Sequence, residues 1–337
     1  MKQEIKGISA AFVILIVSLL SARAQKLPSG APTQQQALPV GQPSTVLDAG
    51  ARLNPMKIAQ LKWYLSNTST EFPVGSQPYG LCFDGANIWS ANFGDNTVSK
   101  IQANDGTVLG RFKVGNEPFG VTFDGANIWV SNSFDSSVTK LRASDGANLG
   151  TFSAGYGPGW MAFDGHNIWV PGSKGTVTKL EISDGRNLGT FTVGFGANAV
   201  AFDGQNVWVT NGGTATVTKL RASDGTVLGT FPVGNGPIGI AFDGTNMWVA
   251  NRGDGTVSEL RASDGTVLGT FTAPDGPYGV SFDGTYIWLS GDLFTQVLRP
   301  KDGTLVEQWK INSTSGIAFD GAHIWISNTN FNSVLKF

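Results

Sequence analysis

Seven copies of one heptapeptide pattern, Phe-Asp-Gly-x-x-apolar-Trp, run through the chain. They start at Phe83, Phe123, Phe163, Phe202, Phe242, Phe282 and Phe319 and end at Trp89, Trp129, Trp169, Trp208, Trp248, Trp288 and Trp325. A step of about 40 residues marks an array in which each unit buries its apolar face only against its neighbours. Length alone, 337 residues, would fit two domains. The repeat overrides that prior, because seven such units fill one closed object.

The copy from Pro237 to Gly276 shows what a unit is. Ile238 to Phe242 alternates and ends at Asp243-Gly244, a pair whose glycine supplies the positive φ of a tight reversal. Met247 to Asn251 reads as a second strand, Thr256 to Arg261 as a third, and Thr266 to Ala273, after the Asp264-Gly265 turn, as a fourth. Four short antiparallel strands, repeated seven times with no helical period, predict an all-β, seven-bladed β-propeller. Glycine is abundant, at 45 residues, and the excess falls at regular turn positions. The seventh unit supplies three strands only: Gly316 to Phe319, Ile324 to Asn328 and Val334 to Phe337. Upstream, Thr70 to Gly75 matches Thr230 to Gly234 in register at Phe-Pro-Val-Gly. The N-terminal segment is therefore expected to complete the last blade as its outer strand, removing two exposed edges.

Before the ring lies different material. Lys2 and Lys6, the apolar run Ile8 to Leu20 and the Ala22-Arg23-Ala24 site predict a signal peptide over 1–24, cleaved to leave Gln25 first. The apolar run is short for a membrane span, so no span is expected after cleavage. The expected address is periplasmic or secreted. Residues 25–56, with Pro28, Pro32, Pro39, Pro43, Pro55 and the run Gln34 to Gln36, read as a flexible leader, and 57–337 as the propeller. The formal net charge is −2 and becomes more negative once Lys2, Lys6, Arg23 and Glu4 are removed. That balance argues against a large phosphate-binding surface, so nucleic acid is not expected as a partner. Cys82, the one cysteine, has no internal disulfide partner, so packing alone holds the fold.

The repeated residues read as construction. The seven tryptophans are expected between blades, where each buries a large apolar area. Cys82, Thr122, Ala162, Ala201, Ala241, Ser281 and Ala318 share a small-residue position suited to close blade contact, which makes Cys82 a buried small residue and not a nucleophile. The Asp-Gly pairs are isolated, so turn chemistry is preferred over calcium binding. Lys100, Lys140, Lys179 and Lys219 recur on the third strand, away from the channel.

The patterns at Gly236 to Asn251 and Gly276 to Ser290, with Thr216 to Leu220 after the former type, resemble the YVTN/YncE-like β-propeller repeat proteins over about Lys57 to Phe337. The resemblance implies the fold and names no reaction. The virginiamycin B lyase group is similar more distantly, since its repeats run closer to Pro-Asp-Gly-x-apolar-Trp-Phe-Thr-Glu. That likeness would imply a histidine base beside a magnesium ion.

Propellers bind at one face, here built by the loop entering the first strand and the loop between the second and third. His166 and His323, the only histidines, fall instead in the Asp-Gly hairpins on the opposite face. A base must reach the proton it removes, and no metalloprotease, nucleophile-elbow or phosphate-loop motif is present. No catalytic residue, metal ligand or cofactor is therefore assigned. What varies among the copies is the binding-face loops. Tyr79, Phe119, Trp160, Asn198 and Tyr278 lie on the first loop, Trp160 standing where a glycine is usual. Phe93, Phe134, Arg252 and Phe331 lie on the second. Aromatics beside single charges suit a small polar or peptide-like ligand, or a protein partner. The expected function is a monomeric binding or scaffold module. The alternatives are a metal-dependent lyase or lactonase-type hydrolase, with Asp95, Asp135 and Asp254 as candidate ligands, and single-stranded nucleic-acid binding.

Overall fold

A computed structural model of the chain describes residues 70–337. The expected signal peptide, the leader and residues 57–69 lie outside them. The described residues form seven four-stranded antiparallel sheets, a seven-bladed propeller. Blade 1 spans Pro78–Lys113, blade 2 Pro118–Ser153, blade 3 Ala162–Thr192, blade 4 Ala197–Pro232, blade 5 Pro237–Thr272 and blade 6 Val280–Lys310. Blade 7 takes three strands from Thr314–Lys336 and its fourth from β1 (Thr70–Pro73). In blades 1 to 6 the first strand in sequence is innermost, in blade 7 Thr314–Phe319 is, and the seven innermost strands touch in succession around the ring.

The closure read from the sequence is the one formed. β1 pairs antiparallel with Ser333–Lys336, placing Phe72 opposite Val334 as Phe231 stands opposite Val217 in blade 4. Phe72 packs on Trp325 at 5.5 Å between ring centroids and runs under Gly106 of blade 1, where a Cβ would lie 1.8 Å from its ring. The same device recurs between blades 1 and 2, with Phe112 under Gly146. The glycine of this second Asp-Gly turn thus combines a positive φ with room for the neighbour's phenyl ring.

Six of the seven repeat tryptophans are fully buried; Trp288 is partly exposed. Each indole N–H donates to the aspartate five residues before it, at 2.6–2.8 Å. The other carboxylate oxygen accepts the two backbone N–H groups of the hairpin, as Asp164 does from His166 and Asn167. One carboxylate therefore sets the turn and satisfies a buried donor. Burial works to raise Asp84, Asp203 and Asp320. The bonds from indole and backbone, with an asparagine amide on Asp84 and Asp203, outweigh it and hold these carboxyls below their ordinary range. Burial also pushes the Cys82 thiol well up, consistent with an inert packing residue.

The periodic lysines are structural. Lys100, Lys140, Lys179, Lys219 and Lys336 each lie over their own blade's tryptophan, 5.0–5.3 Å from the ring centroid. Each donates to two successive carbonyls of the next blade, as Lys100 does to Ala143 (2.7 Å) and Ser144 (3.2 Å). Lys336 bonds Ala103 and Asn104 and so ties blade 7 to blade 1. These ammonium groups are spent between blades and form no phosphate-binding surface.

Candidate functional site

Every strand has two ends, and the blade topology assigns each loop to one of them. The Asp-Gly hairpin joins strands one and two at one end. The turn between strands two and three lies at the other, beside the segment entering strand one: Phe93 N–H donates to Gln77 O at 3.0 Å. His166 and His323 are exposed at the hairpin end, His323 within 3.4 Å of Asp320. The loop end therefore contains no histidine.

At the loop end, six of the nine residues singled out in the sequence come together. Phe93 packs on Tyr79 (5.3 Å between centroids), Tyr79 stacks on Phe119 (5.0 Å), and Phe119 packs on Trp160 (4.5 Å). Trp160 meets the edge of Tyr278 at 5.5 Å. The guanidinium of Arg252 lies over Tyr278 (5.2 Å) and pairs with Asp292 at 3.0 Å. Trp160 belongs to the lead-in of blade 3 and Tyr278 to that of blade 6, on opposite sides of a seven-membered ring. Their contact crosses the axis, so these aromatics close the channel and do not merely line its mouth. Burial pushes the Tyr79 and Tyr278 phenols up, against the pull of Arg252, so both stay neutral.

Trp160 reaches the axis because two residues are transposed. Blades 1, 2, 5, 6 and 7 place a glycine second in this pair (Gly80, Gly120, Gly239, Gly279, Gly316), where a Cβ would strike the next blade's backbone. In blade 3 the glycine comes first. A Cβ on Gly159 would lie 2.0 Å from Asn198 O. Trp160 bonds blade 4 by its backbone instead, donating to Asn198 O (2.9 Å) and accepting from Val200 N–H (3.0 Å). The innermost strand of blade 3 shortens to Ala162–Phe163 as a result. Trp160→Ala is expected to destabilise the protein by about 2–4 kcal/mol, since a half-buried indole and two aromatic contacts are lost. Equilibrium urea unfolding measures this, and an unchanged midpoint would mean the ring is not packed at the axis.

The remaining three candidates lie elsewhere. The Asn198 amide donates to Pro237 O at 3.0 Å, joining blades 4 and 5. Phe134 (71% exposed) and Phe331 (66%) stand on the rim. Sequence reasoning missed Phe195, 64% exposed at the same end in the segment entering blade 4; its signal was a phenylalanine between Gly194 and Gly196, where blades 1, 2 and 5 carry Ser76, Asn116 and Asn235 and blade 3 carries Tyr156. An open cleft of about 480 Å³ lies between blades 1 and 2, lined by Phe93, Asn96, Asn116, Glu117 and Phe134.

The carboxylates considered as metal ligands are occupied in holding loops. Asp95 accepts from Ser76 N–H (2.9 Å), Asp135 from Asn116 N–H (2.7 Å) and Asp254 from Asn235 N–H (2.6 Å). Each ties the turn after strand two to the segment before strand one, in its own blade. No group of three or more His, Cys, Asp or Glu side chains converges among the described residues. This donor set does not fit the magnesium centre that the lyase resemblance implies, and no metal step is derived from it.

No family model matches the chain, and no curated protein matches it. Among solved structures it is similar to hydrazine synthase of Kuenenia stuttgartiensis (TM-score 0.68, 17% identity, 80% of this chain and 97% of that one). It is similar also to a streptogramin B lyase (TM-score 0.67, 18% identity, 80% and 96%). Both likenesses are of fold, and together with the seven sheets they make the chain a β-propeller.

Proposed function

We propose that the protein is a binding module without chemistry of its own, taking a peptide segment or a protein partner across the loop end of the ring. The observation that carries this reading is the filled axis. Phe93, Tyr79, Phe119, Trp160 and Tyr278 form an apolar floor, and Phe134, Phe195 and Phe331 project from the rim around it. A small molecule is held in a concave pocket that surrounds it. A broad surface with protruding aromatics instead matches the anchors of protein interfaces. The Arg252–Asp292 pair adds a polar contact at the edge of the floor. With export directed by residues 1–24, the partner is met in the periplasm or outside the cell. The enzymatic alternative gains no support from the loop end, where neither a histidine nor a free carboxylate cluster stands.

The double variant Phe134→Ser, Phe331→Ser tests the reading. A random peptide library panned against the immobilised wild type is expected to enrich binders that the variant does not retain. Melting should be unchanged to within about 0.5 kcal/mol, the scale of surface substitutions. Equal retention by the variant, or no enrichment, overturns the proposal.

A further inference from the structure

Five joints between blades close by the same device: a lysine ammonium over an indole, bonded to two carbonyls of the next blade. The other two joints differ from these and from each other. At the joint of blades 6 and 7 both halves are replaced. Val297 stands at the lysine position, and blade 7 draws its outer strand from Thr70–Pro73, so no turn follows its third strand to supply carbonyls. Trp288, Trp309 and Phe337 fill the space with mutual ring contacts of 5.2–5.9 Å. At the joint of blades 5 and 6 only the donor is gone. Glu259 faces Trp248 where the other blades have lysine. Pro300 and Lys301 occupy the turn positions of Ala262 and Ser263, so the two acceptor carbonyls remain, and no described residue donates to them.

Glu259 is only 9% exposed. One of its oxygens accepts from the Asn246 amide at 2.6 Å; the other has no partner among the described residues. In blades 1 to 4 the matching asparagine gives its amide to the hairpin aspartate, as Asn87 does to Asp84. Glu259 has drawn Asn246 away from that role. Between these groups opens a cleft of about 410 Å³, lined by Asp243, Asn246, Glu259, Phe282, Pro300 and Lys301.

We infer that this cleft binds a primary ammonium group, the protonated amine of a ligand taking the place of the missing lysine. Such a group has three N–H donors. The joint offers two carbonyls and one carboxylate oxygen to receive them, with the face of Trp248 behind. The glutamate side chain is one atom shorter than lysine, so the carboxylate stops short of the ammonium position and leaves it open. A buried carboxylate beside Asp243 is costly without a counter-charge, and burial with Asp243 raises Glu259 accordingly. A calcium ion needs six to eight oxygens, whereas five copies of this joint already show the spacing to suit an ammonium. Lys301, exposed on the rim, is the internal competitor.

The test uses the full-length protein with labelled tryptophan and follows the Trp248 indole N–H resonance. Butylammonium is expected to shift it saturably, while tetramethylammonium, which has no N–H, does not at equal ionic strength. Glu259→Lys should abolish the response and raise the melting temperature, because it rebuilds the joint found five times elsewhere. Glu259→Gln, which keeps size and loses charge, should weaken the response and serves if the lysine variant misfolds. The inference is overturned by no butylammonium-specific shift, by an equal shift with calcium chloride, or by an equal shift in Glu259→Lys. A response seen only in Lys301→Met also overturns it, since Lys301 would then be the resident ammonium. None of these outcomes depends on the peptide surface at the other end of the ring.

Discussion

A chain that starts at Gly75 is expected to lose the cooperatively melting monomer altogether. Without β1, the strand Ser333–Lys336 becomes an edge with unpaired N–H and C=O groups, a template for pairing between molecules. The loss is more than a ladder of hydrogen bonds. Phe72 no longer covers Trp325, the space under Gly106 empties, and Ser333 loses its contact with Glu71. Arg111 of blade 1 also loses the Val74 carbonyl it holds at 2.7 Å. These changes fall on the joint that closes the ring, so neighbouring blades cannot relax independently. Size-exclusion chromatography and calorimetry should show aggregates or strand-exchanged oligomers. A soluble monomer that melts as sharply as the full chain would mean the ring is closed by the lysine and inner-strand contacts alone. Phe72→Ala gives the graded version, with a loss of about 2–4 kcal/mol.

Asp164→Ala is expected to destabilise the ring by about 3–5 kcal/mol, lowering the melting temperature by roughly 10 °C. The reason is the number of donors stranded at once. Asp164 is buried and accepts from the Trp169 indole (2.7 Å), the backbone of His166 and Asn167 (2.8 and 2.6 Å) and the Asn167 amide. Alanine leaves the indole N–H inside the protein with no acceptor, the kind of loss that costs about 1–3 kcal/mol by itself. Trp169→Phe removes that donor, so the double variant should be less destabilised than the sum of the two singles. Additivity would show that the aspartate matters only as a turn former.

That second role of the aspartate marks the limit of what the sequence disclosed. The period, the four strands and the closing segment were legible because each rests on local pattern: alternation, Asp-Gly turns and a Phe-Pro-Val-Gly copy out of place. The turn function of Asp164 is equally local. Its bond to Trp169 spans five residues across a hairpin, and no propensity encodes it. The lysines were visible as a recurrence, but their burial depends on carbonyls some 43 residues away in the next blade. At the loop end, the aromatic positions could be named one by one, and Trp160 stood out where glycine is usual. That Trp160 spans the axis to Tyr278 follows only from ring geometry, since the two lie far apart in sequence. Asn198 looked like a member of the same set and instead bonds a neighbouring lead-in.

The outer strand of the last blade has a consequence in time. Thr70 to Pro73 are made well before their partners Ser333 to Lys336. A ribosome can release blades 1 to 6 one after another, each able to rest on its predecessor. The strand Thr70–Pro73 must wait, unpaired, until Ser333 to Lys336 emerge. Closure therefore acts as a completeness check: a product truncated anywhere before Ser333 leaves its opening strand without a partner.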